Sequence, residues 1–263
     1  MKMKKFVIIS KYKENNRASL DKLKEALLTH GYVYDEENPE YIFVLGGDGS
    51  LLRSIHQYRK EGKYILLNTG HLGFFSDYDA DDIDNFVTDL LTKEPLETRL
   101  PLYEIESDDI KDRFINDIAI QSAQTSFLDI YVDDELLTCV RSNGIVISSP
   151  MGSTGYLTSL NSPLVIGSPS IYQYAIIAPC YNRLSLNPIT KAILSNDQVL
   201  KIKVRDGNPD VYIDGIFKEE LEKSPDGTLF TIRARKDEFV RILHFKDTSL
   251  VKRLRKNISG MED

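Results

Sequence analysis

The sequence predicts an α/β N-terminal domain with a mostly parallel sheet, followed by an all-β, β-sandwich-like C-terminal domain. Apolar strands alternate with amphipathic helices over residues 1–97, whereas apolar and polar residues alternate with a period of two over residues 98–246. The pattern changes near Pro95 to Pro101. Residues 247–263 return to helical spacing, and we expect this helix to pack back on the first domain.

Three strand–helix pairs are predicted in the first domain. The strands are the runs KFVIIS, YIFVL and KYILLNTG. The first helix has Ser19 as its expected N-cap and Gly31 as its stop. The apolar stripes of the helices are Leu20, Leu23 and Leu27; Leu51, Leu52, Ile55 and Tyr58; and Ile83, Phe86, Val87, Leu90 and Leu91. Because ligands of such sheets bind at the carboxyl ends of the strands, the loops that follow the strands are the expected site.

The second domain is predicted to be antiparallel. Its period-two segments are FLDIYVDDELL, VLKIKVR, DVYIDGIF, TLFTIRARK and FVRILHF. In LKIKVR the apolar residues Leu200, Ile202 and Val204 alternate with basic ones, which is typical of a half-buried strand.

Composition limits the class of protein. The chain has 263 residues, 41% hydrophobic and 28% charged, as expected of a globular protein, and its net charge of -7 argues against a nucleic-acid partner. Cys139 and Cys180 have neither metal-ligand spacing nor a disulfide pattern, which fits a reducing cytoplasm. The apolar run Phe6–Ile9 is too short for a signal peptide, and no segment is long enough for a membrane span. We therefore expect a cytoplasmic protein without a membrane partner.

The segment GGDGS at 46–50 follows a predicted strand directly. Glycines here allow a sharp turn and a close approach to a phosphate. Asp48 would repel a phosphate, so it fits the turn only if it meets a metal ion or takes a proton from a hydroxyl. The alternative is that Asp48 only caps the following helix.

A second glycine-bearing loop, NTGHLGFFSDYD, follows the next strand and should line the same edge of the sheet. We assign no chemistry to His71, because a lone histidine among apolar residues is more often structural. The acids at 77, 79, 81 and 82 are expected to complement a helix N-terminus rather than to bind a metal, because the glycine and glutamate of a calcium loop are missing. No protein-bound metal site is predicted.

A third segment, RSNGIVISSPMGSTGYLTSLNSP at 141–163, is rich in hydroxyl residues and glycine from Ser148 onward. Such a turn offers backbone N–H groups and hydroxyls to a phosphate or ribose, and Tyr156 offers a ring face to a base. The alternative is a flexible surface loop. A serine nucleophile is disfavoured, because GSTG is not the G-x-S-x-G elbow and no histidine has a triad-like context.

These segments, together with IND at 115–117, RSNG at 141–144 and YIDG at 212–215, resemble the NAD kinases in order along nearly the whole chain. The GGDG turn is shared with diacylglycerol and sphingosine kinases, whereas the GSTGY loop indicates NAD kinases in particular. The resemblance implies a Rossmann-like first domain, a β-rich second domain, a cleft between them and a homotetramer. It also implies transfer of the γ-phosphoryl group of ATP, or of polyphosphate in some members, to the 2′-hydroxyl of the adenosine ribose of NAD, with Mg²⁺ or another divalent cation.

The resemblance also implies residue roles. Asp48 would be the base on the 2′-hydroxyl, Asn116 and Asp117 would hold the adenosine, and Tyr156 would stack on it. The remaining expected ligand contacts are Gly46, Gly47, Gly49, Phe74, Arg141, Asn143, Thr154, Gly155, Leu157, Thr158, Ser159, Ala178 and Asp214.

Four positions depart from the family pattern. Asp117 stands for Glu, Asn143 for Asp, Gly155 for Ala and Asn161 for Gly. If residue 143 supplies an acceptor to the adenine amino group, Asn143→Asp should bind NAD at least as tightly. Two alternative functions stay open: a related kinase that acts on a lipid or sugar hydroxyl, and a module that binds NAD(P) without turnover.

Overall fold

The computed structural model describes residues 4–10, 14, 16–58, 62–70, 73–167, 170–181, 187–206, 209–220, 226–246 and 249–255. Its contacts divide the chain into two compact units, one of Met1–Leu100 with Val240–Asp263 and the other of Pro101–Phe239. Each unit has its own apolar core.

The elements follow one another in chain order. The first are β1 (Lys4–Ser10), α1 (Arg17–Thr29), β2 (Tyr32–Tyr34), β3 (Tyr41–Leu45), α2 (Asp48–Tyr58), β4 (Lys63–Asn68), β5 (Tyr78–Asp79) and α3 (Ile83–Thr92). Next come β6 (Leu96–Glu106), β7 (Lys111–Phe114), β8 (Asp117–Val132), β9 (Glu135–Ser148), a 3₁₀ turn (Met151–Thr154) and α4 (Tyr156–Ser159). The last are β10 (Ile171–Ile177), β11 (Lys191–Ser195), β12 (Leu200–Val204), β13 (Asp210–Ile213), β14 (Ile216–Glu220), β15 (Thr228–His244) and α5 (Leu250–Leu254). No helix in these described parts is long and apolar enough to cross a bilayer.

The first unit contains the predicted parallel sheet. Its strands run in the order β2–β1–β3–β4, and the end of β15 pairs with β4 in parallel through Arg241 and Ile242. The apolar stripes of α1 and α3 supply much of the core, with Leu23, Leu27 and Phe86 fully or almost fully buried. Because β3 and β4 are parallel neighbours, the loops after them begin at the same edge of the sheet.

The ends of the helices differ in part from the prediction. α1 begins at Arg17 with Asn16 at its N-cap, so the expected cap Ser19 lies inside the first turn and that prediction is wrong. Gly31 does follow the helix in the left-handed conformation (φ 81°), as expected of a helix stop. A C-terminal helix is present as α5, with Leu254 buried, and the predicted part beyond residue 255 lies outside the described residues.

The second unit is antiparallel, as predicted, with strand order β11–β10–β9–β8–β12–β15. TLFTIRARK lies in this unit as part of β15. FVRILHF was also predicted for the antiparallel domain, but it forms the end of β15, which belongs to the first unit from Val240 onward and pairs in parallel with β4, so that prediction is wrong. A register shift between Gln121 and Ser126 divides β8. β13 pairs with the part of β8 before the shift, and β12 with the part after it. The shift therefore bulges the chain beside the segment that carries Arg141 and Asn143.

Candidate active site

The glycine turn joins β3 to α2 at the carboxyl edge of the parallel sheet. The Gly46 N–H donates to the Leu67 carbonyl of β4 at 3.0 Å, which ties the turn to the neighbouring strand. A Cβ on Gly46 would lie 2.4 Å from Ser50 Oγ, whereas Gly47 and Gly49 have open space around them. The turn is therefore tight at Gly46 and accessible to a ligand at the other two glycines.

The carboxylate of Asp48 binds the second loop. Its Oδ2 accepts a hydrogen bond from the Phe74 N–H at 2.9 Å, and its Oδ1 accepts from the Phe75 N–H at 3.1 Å. Phe74 in turn packs edge-on against Phe75, with ring centroids 5.5 Å apart. The two glycine-bearing loops therefore meet, as predicted, and Asp48 uses its carboxylate to hold the second loop rather than to cap its own helix.

The surroundings of Asp48 favour a base. Burial raises the pKa of this carboxyl, while the N–H groups of Phe74 and Phe75 and the Arg253 guanidinium oppose the rise. A general base works best when its pKa lies close to the working pH. The net effect is a raised pKa of Asp48, which brings it closer to the working pH.

Asp77 does not serve a helix N-terminus, so that expectation is wrong for this residue. Its side chain is 4% exposed and pairs with Arg253 at 2.5 Å. Its Oδ2 accepts from the Phe245 N–H at 2.7 Å. Asp82, by contrast, does stand at the N-cap of α3. His71 lies outside the described residues.

In the second unit, Asp214 holds the backbone of the IND segment. Its carboxylate accepts hydrogen bonds from three consecutive N–H groups, those of Ile115 (3.0 Å), Asn116 (2.7 Å) and Asp117 (3.2 Å). Asp214 itself is 7% exposed and has a positive φ of 50°, at the turn between β13 and β14. Its role in the structure is therefore to position Asn116 and Asp117.

Asn116 also contacts the third loop. Its carbonyl accepts hydrogen bonds from the Ser149 N–H at 2.9 Å and from Ser148 Oγ at 3.1 Å. A Cβ on Gly152 would lie only 2.2 Å from the same carbonyl oxygen. The side-chain oxygen Oδ1 of Asn116 is buried and has no hydrogen-bond partner. Since buried acceptors are nearly always satisfied, this oxygen marks a place for a ligand's N–H or O–H group.

Asp117 lies next to Gly155 and Tyr156. Burial, and then the nearby Asp214 carboxylate, raise the pKa of Asp117 to about 6, although the Tyr156 N–H donates to it. A Cβ on Gly155 would lie 3.0 Å from Asp117 Oδ2. The Gly155 and Asp117 departures are therefore adjacent, and the missing methyl group leaves room for the carboxylate.

Asp117→Asn is expected to stabilise the protein above pH 6. A carboxyl with a raised folded-state pKa stabilises the fold below its unfolded pKa and loses that contribution as the pH rises through about 6. Asparagine avoids this loss, so the free energy of unfolding should rise by on the order of 2 kcal/mol at pH 8 and by much less near pH 4. Urea unfolding at both pH values checks this, with exposed Asp108→Asn as the control. An equal effect at both pH values would contradict the raised pKa.

The hydroxyls of the third loop are used mainly within the loop. Thr154 Oγ1 donates to the Met151 carbonyl, Thr158 Oγ1 to Ser153, and Ser159 Oγ to Tyr156. Leu157 is fully buried against Ala119, Val146 and Ala175. These three hydroxyls therefore donate to carbonyls of the loop itself, which differs from the expected surface of free donors.

Tyr156 is the large exposed side chain of this loop. It is 38% exposed, and its hydroxyl donates to Gln121 Oε1 at 3.3 Å. The hydroxyl is therefore anchored while part of the side chain stays accessible, as stacking on a base requires.

Arg141 and Asn143 lie in the middle of β9, and Ala178 directly follows β10. Arg141 Nε donates to Thr125 Oγ1 at 3.0 Å, and the Arg141 carbonyl accepts from the Cys180 N–H. Ala178 follows the pair Ile177–Gly144 and has a positive φ of 44°, which is costly for alanine. Asn143 Nδ2 donates to the carbonyls of Ser122 and Ala123, at 3.1 and 3.2 Å, within the bulge of β8.

These contacts reverse the expectation for Asn143→Asp. A carboxylate would put a charged acceptor against two carbonyl oxygens, so we expect the free energy of unfolding to fall by roughly 1–3 kcal/mol. We also expect the Asn143→Asp protein to bind NAD less tightly. Chemical denaturation and calorimetry check this, with Asn38→Asp in an exposed turn as the control. An Asn143→Asp protein of unchanged stability that bound NAD more tightly would support the original expectation.

Asn161 has a simple backbone explanation. Its φ of 53° lies in the left-handed region, which glycine prefers and asparagine tolerates better than most residues. This departure therefore preserves the conformation.

Sequence reasoning missed Arg253, which contacts both Asp77 and the Phe74 carbonyl. Its partners lie more than 170 positions away in the chain. In the sequence, Arg253 lies in a basic segment with helical spacing. That pattern predicts a helix but does not indicate which residues Arg253 contacts. Gly152 was seen only as part of a glycine-rich loop.

Comparisons with known proteins identify the family of this chain. Residues 115–242 match the family model described as "ATP-NAD kinase C-terminal domain". NAD kinase of Lactobacillus acidophilus is 32% identical over 189 residues, which cover 68% of this chain and 71% of that protein. NAD kinase of Finegoldia magna is 26% identical over 253 residues, covering 90% and 93%.

Two solved structures share the fold. Yeast NADH kinase complexed with NADH has a TM-score of 0.82 at 18% identity, covering 99% of this chain and 88% of that one. An NAD kinase from Archaeoglobus fulgidus in complex with ATP has a TM-score of 0.78 at 20% identity, covering 98% and 100%. Together with the sequence matches and the residues described above, these findings show that the chain belongs to the NAD kinase family.

Proposed function

We propose that this protein transfers the γ-phosphoryl group of ATP to the 2′-hydroxyl of the adenosine ribose of NAD, giving NADP. The observation that carries the proposal is Asp48, a carboxylate with a raised pKa at a glycine turn on the carboxyl edge of a parallel sheet. Its relatives are NAD kinases, and its structural neighbours include an NADH kinase in complex with NADH and an NAD kinase in complex with ATP.

Asp48 acts as the base in this proposal. A ribose hydroxyl is too weak an acid to ionise unaided at neutral pH, and a carboxylate within hydrogen-bond reach takes its proton as the new P–O bond forms. The N–H groups of Phe74 and Phe75 keep the carboxylate oriented. The open backbone at Gly47 and Gly49 leaves room for the phosphates.

The adenosine of NAD is bound by the residues of the second unit. The unpartnered Asn116 Oδ1 accepts a hydrogen bond from it, Asp117 offers a second acceptor, and Tyr156 supplies a ring face. Three further residues act indirectly, because they position the backbone of the IND segment and of the third loop: Asp214, Gly155 and the buried Leu157. The surrounding surface is formed by Thr154, Thr158, Ser159, Arg141, Asn143 and Ala178.

Mg²⁺ is proposed to arrive on the phosphates of ATP. Mg²⁺ at sites that bind nucleotides is usually held by one or two carboxylates, water and the substrate phosphates, so we propose a cation held mainly by the oxygens of ATP. Bound there, the cation would neutralise phosphate charge. The chain's own residues then supply position and the base.

The proposal also covers the assembly of the protein, its location and its phosphoryl donor. We propose a homotetramer in the cytoplasm, by likeness to the family, and ATP rather than polyphosphate as the donor. Light scattering gives the mass of the assembly, and parallel assays with ATP and polyphosphate identify the donor.

The test of function is a direct assay. Purified protein is incubated with ATP, Mg²⁺ and NAD, and NADP is detected with an NADP-specific dehydrogenase. Addition of EDTA should stop the reaction. Phosphorylation of diacylglycerol, sphingosine or a sugar without NADP formation would support the related-kinase alternative, and NAD binding without any product would support the non-catalytic one.

A further inference from the structure

Arg253, on the C-terminal helix α5, contacts the loop that holds Asp48. Its side chain is only 10% exposed. Nη1 donates to the Phe74 carbonyl at 2.9 Å and to the Ser76 carbonyl at 3.3 Å, while Nη2 pairs with Asp77 at 2.5 Å. The Arg253 side chain thus binds three residues of one loop, Phe74, Ser76 and Asp77.

The same peptide segment meets Asp48 from its other side. The carbonyl of Phe74 accepts from Arg253, and the N–H of Phe74 donates to Asp48 Oδ2 at 2.9 Å. Phe74 is therefore held between the C-terminal helix and the proposed base. A shift of this loop would move the N–H groups that orient the Asp48 carboxylate.

Arg253 is itself fixed in place. His244 Nδ1 lies 3.1 Å from Asp77 Oδ1 and 3.2 Å from Arg253 Nη2, and Asp77 Oδ2 accepts from the Phe245 N–H. The end of β15 and the helix α5 thus hold Asp77 and Arg253 in one arrangement. A largely buried guanidinium that donates hydrogen bonds to two carbonyls and one carboxylate of the same loop is well suited to setting the position of that loop.

We propose that Arg253 is a positioning residue for phosphoryl transfer, which holds the loop at residues 74–77 so that its N–H groups orient Asp48. The proposal rests on the proposed role of Asp48 as the base. It makes the C-terminal helix part of the catalytic unit without any contact between Arg253 and a substrate.

The pH dependence of turnover distinguishes this role from a purely structural one. Among the charged groups, Arg253 lowers the pKa of Asp48 against the effect of burial, while Asp77 and His244 contact Arg253 itself. Loss of the guanidinium removes that charge and loosens the two N–H donors. Both changes raise the pKa of Asp48, so the acid limb of the kcat profile should move to higher pH.

The experiment compares Arg253→Gln, Arg253→Lys and the exposed control Lys252→Gln, each well below its melting temperature. We expect kcat to fall by about 10–100-fold in the Gln variant, as for a misplaced catalytic group, and by less in the Lys variant, which keeps the charge. KM for NAD should change little. Carbon-13 NMR titration of the Asp48 carboxyl should show its midpoint moving upward together with the acid limb, and the control should match the wild type.

Two outcomes would overturn the proposal. One is an Arg253→Gln protein with a lower melting temperature but an unmoved acid limb and carboxyl midpoint. The other is an Arg253→Lys protein whose kcat, and the pH dependence of kcat, equal those of the wild type. This second outcome decides the question even if the Gln variant does not fold. Turnover by Asp48→Asn is measured beside them, because wild-type turnover there would reject the base itself and not only its positioning.

Discussion

Replacing Asp48 by asparagine is expected to lower NADP formation by about 10²–10⁴-fold, the range that general base catalysis typically contributes. Asparagine has nearly the same size and can still accept a hydrogen bond from the Phe74 or Phe75 N–H, so the loop contact is largely kept. What is lost is the ability to take the proton from the 2′-hydroxyl. Because the carboxyl is partly buried with a raised pKa, its neutral replacement should not destabilise the fold.

Three measurements separate this loss from a structural effect. Melting temperature and NAD affinity by calorimetry should stay close to the wild-type values, while single-turnover formation of NADP falls. If the Asp48→Asn protein made NADP at close to the wild-type rate, Asp48 would serve only to hold the loop at Phe74, and the base would have to be another group.

The second large effect is expected from Gly152→Ala. The new Cβ would lie 2.2 Å from the Asn116 carbonyl oxygen and 2.5 Å from its carbon, both backbone atoms that cannot rotate away. Overpacking of this kind typically costs about 1–3 kcal/mol of folding free energy. The forced shift also displaces Asn116, whose Oδ1 is the proposed acceptor for the adenosine, so NAD binding should be lost.

Denaturant unfolding and calorimetry of the Gly152→Ala protein test this. The matched control is Gly70→Ala, where the nearest atom is Asn68 Oδ1 at 3.8 Å, an ordinary contact. We expect the control to keep its stability. A Gly152→Ala protein that stays as stable as the control and binds NAD normally would mean that Asn116 and the third loop are not closely coupled.

The fold could be predicted because its signals are local. Periods of 3.6 and 2.0 residues identify the helices and strands, and the alternation of strand and helix implies the parallel order that places the loops after β3 and β4 at one edge. That the two loops lie close together follows from that order, whereas the hydrogen bond from the Phe74 N–H to Asp48 is seen only in the structure. The helix end that was wrong, at Ser19, lies three residues from the observed N-cap Asn16, because asparagine and serine are both residue types that cap helices.

The rest of the site could not be predicted because it depends on contacts between distant positions. Asp77 looks like a helix-end acid in the sequence, and only the fold brings it to Arg253. Asn143 looks like a free ligand contact until the bulge of β8 brings two carbonyls to its amide. Leu157 lies within the polar loop in the sequence but packs in the core.

The most direct test of the account is a crystal structure of the protein with NAD and a non-hydrolysable ATP analogue. We predict that an Asp48 carboxylate oxygen lies about 2.6–3.2 Å from the ribose 2′-oxygen of the adenosine moiety, within hydrogen-bond reach. The same adenosine should donate a hydrogen bond to Asn116 Oδ1. A bound NAD whose 2′-hydroxyl is out of reach of Asp48, with a different side chain in hydrogen-bond contact, would contradict the assignment of the base.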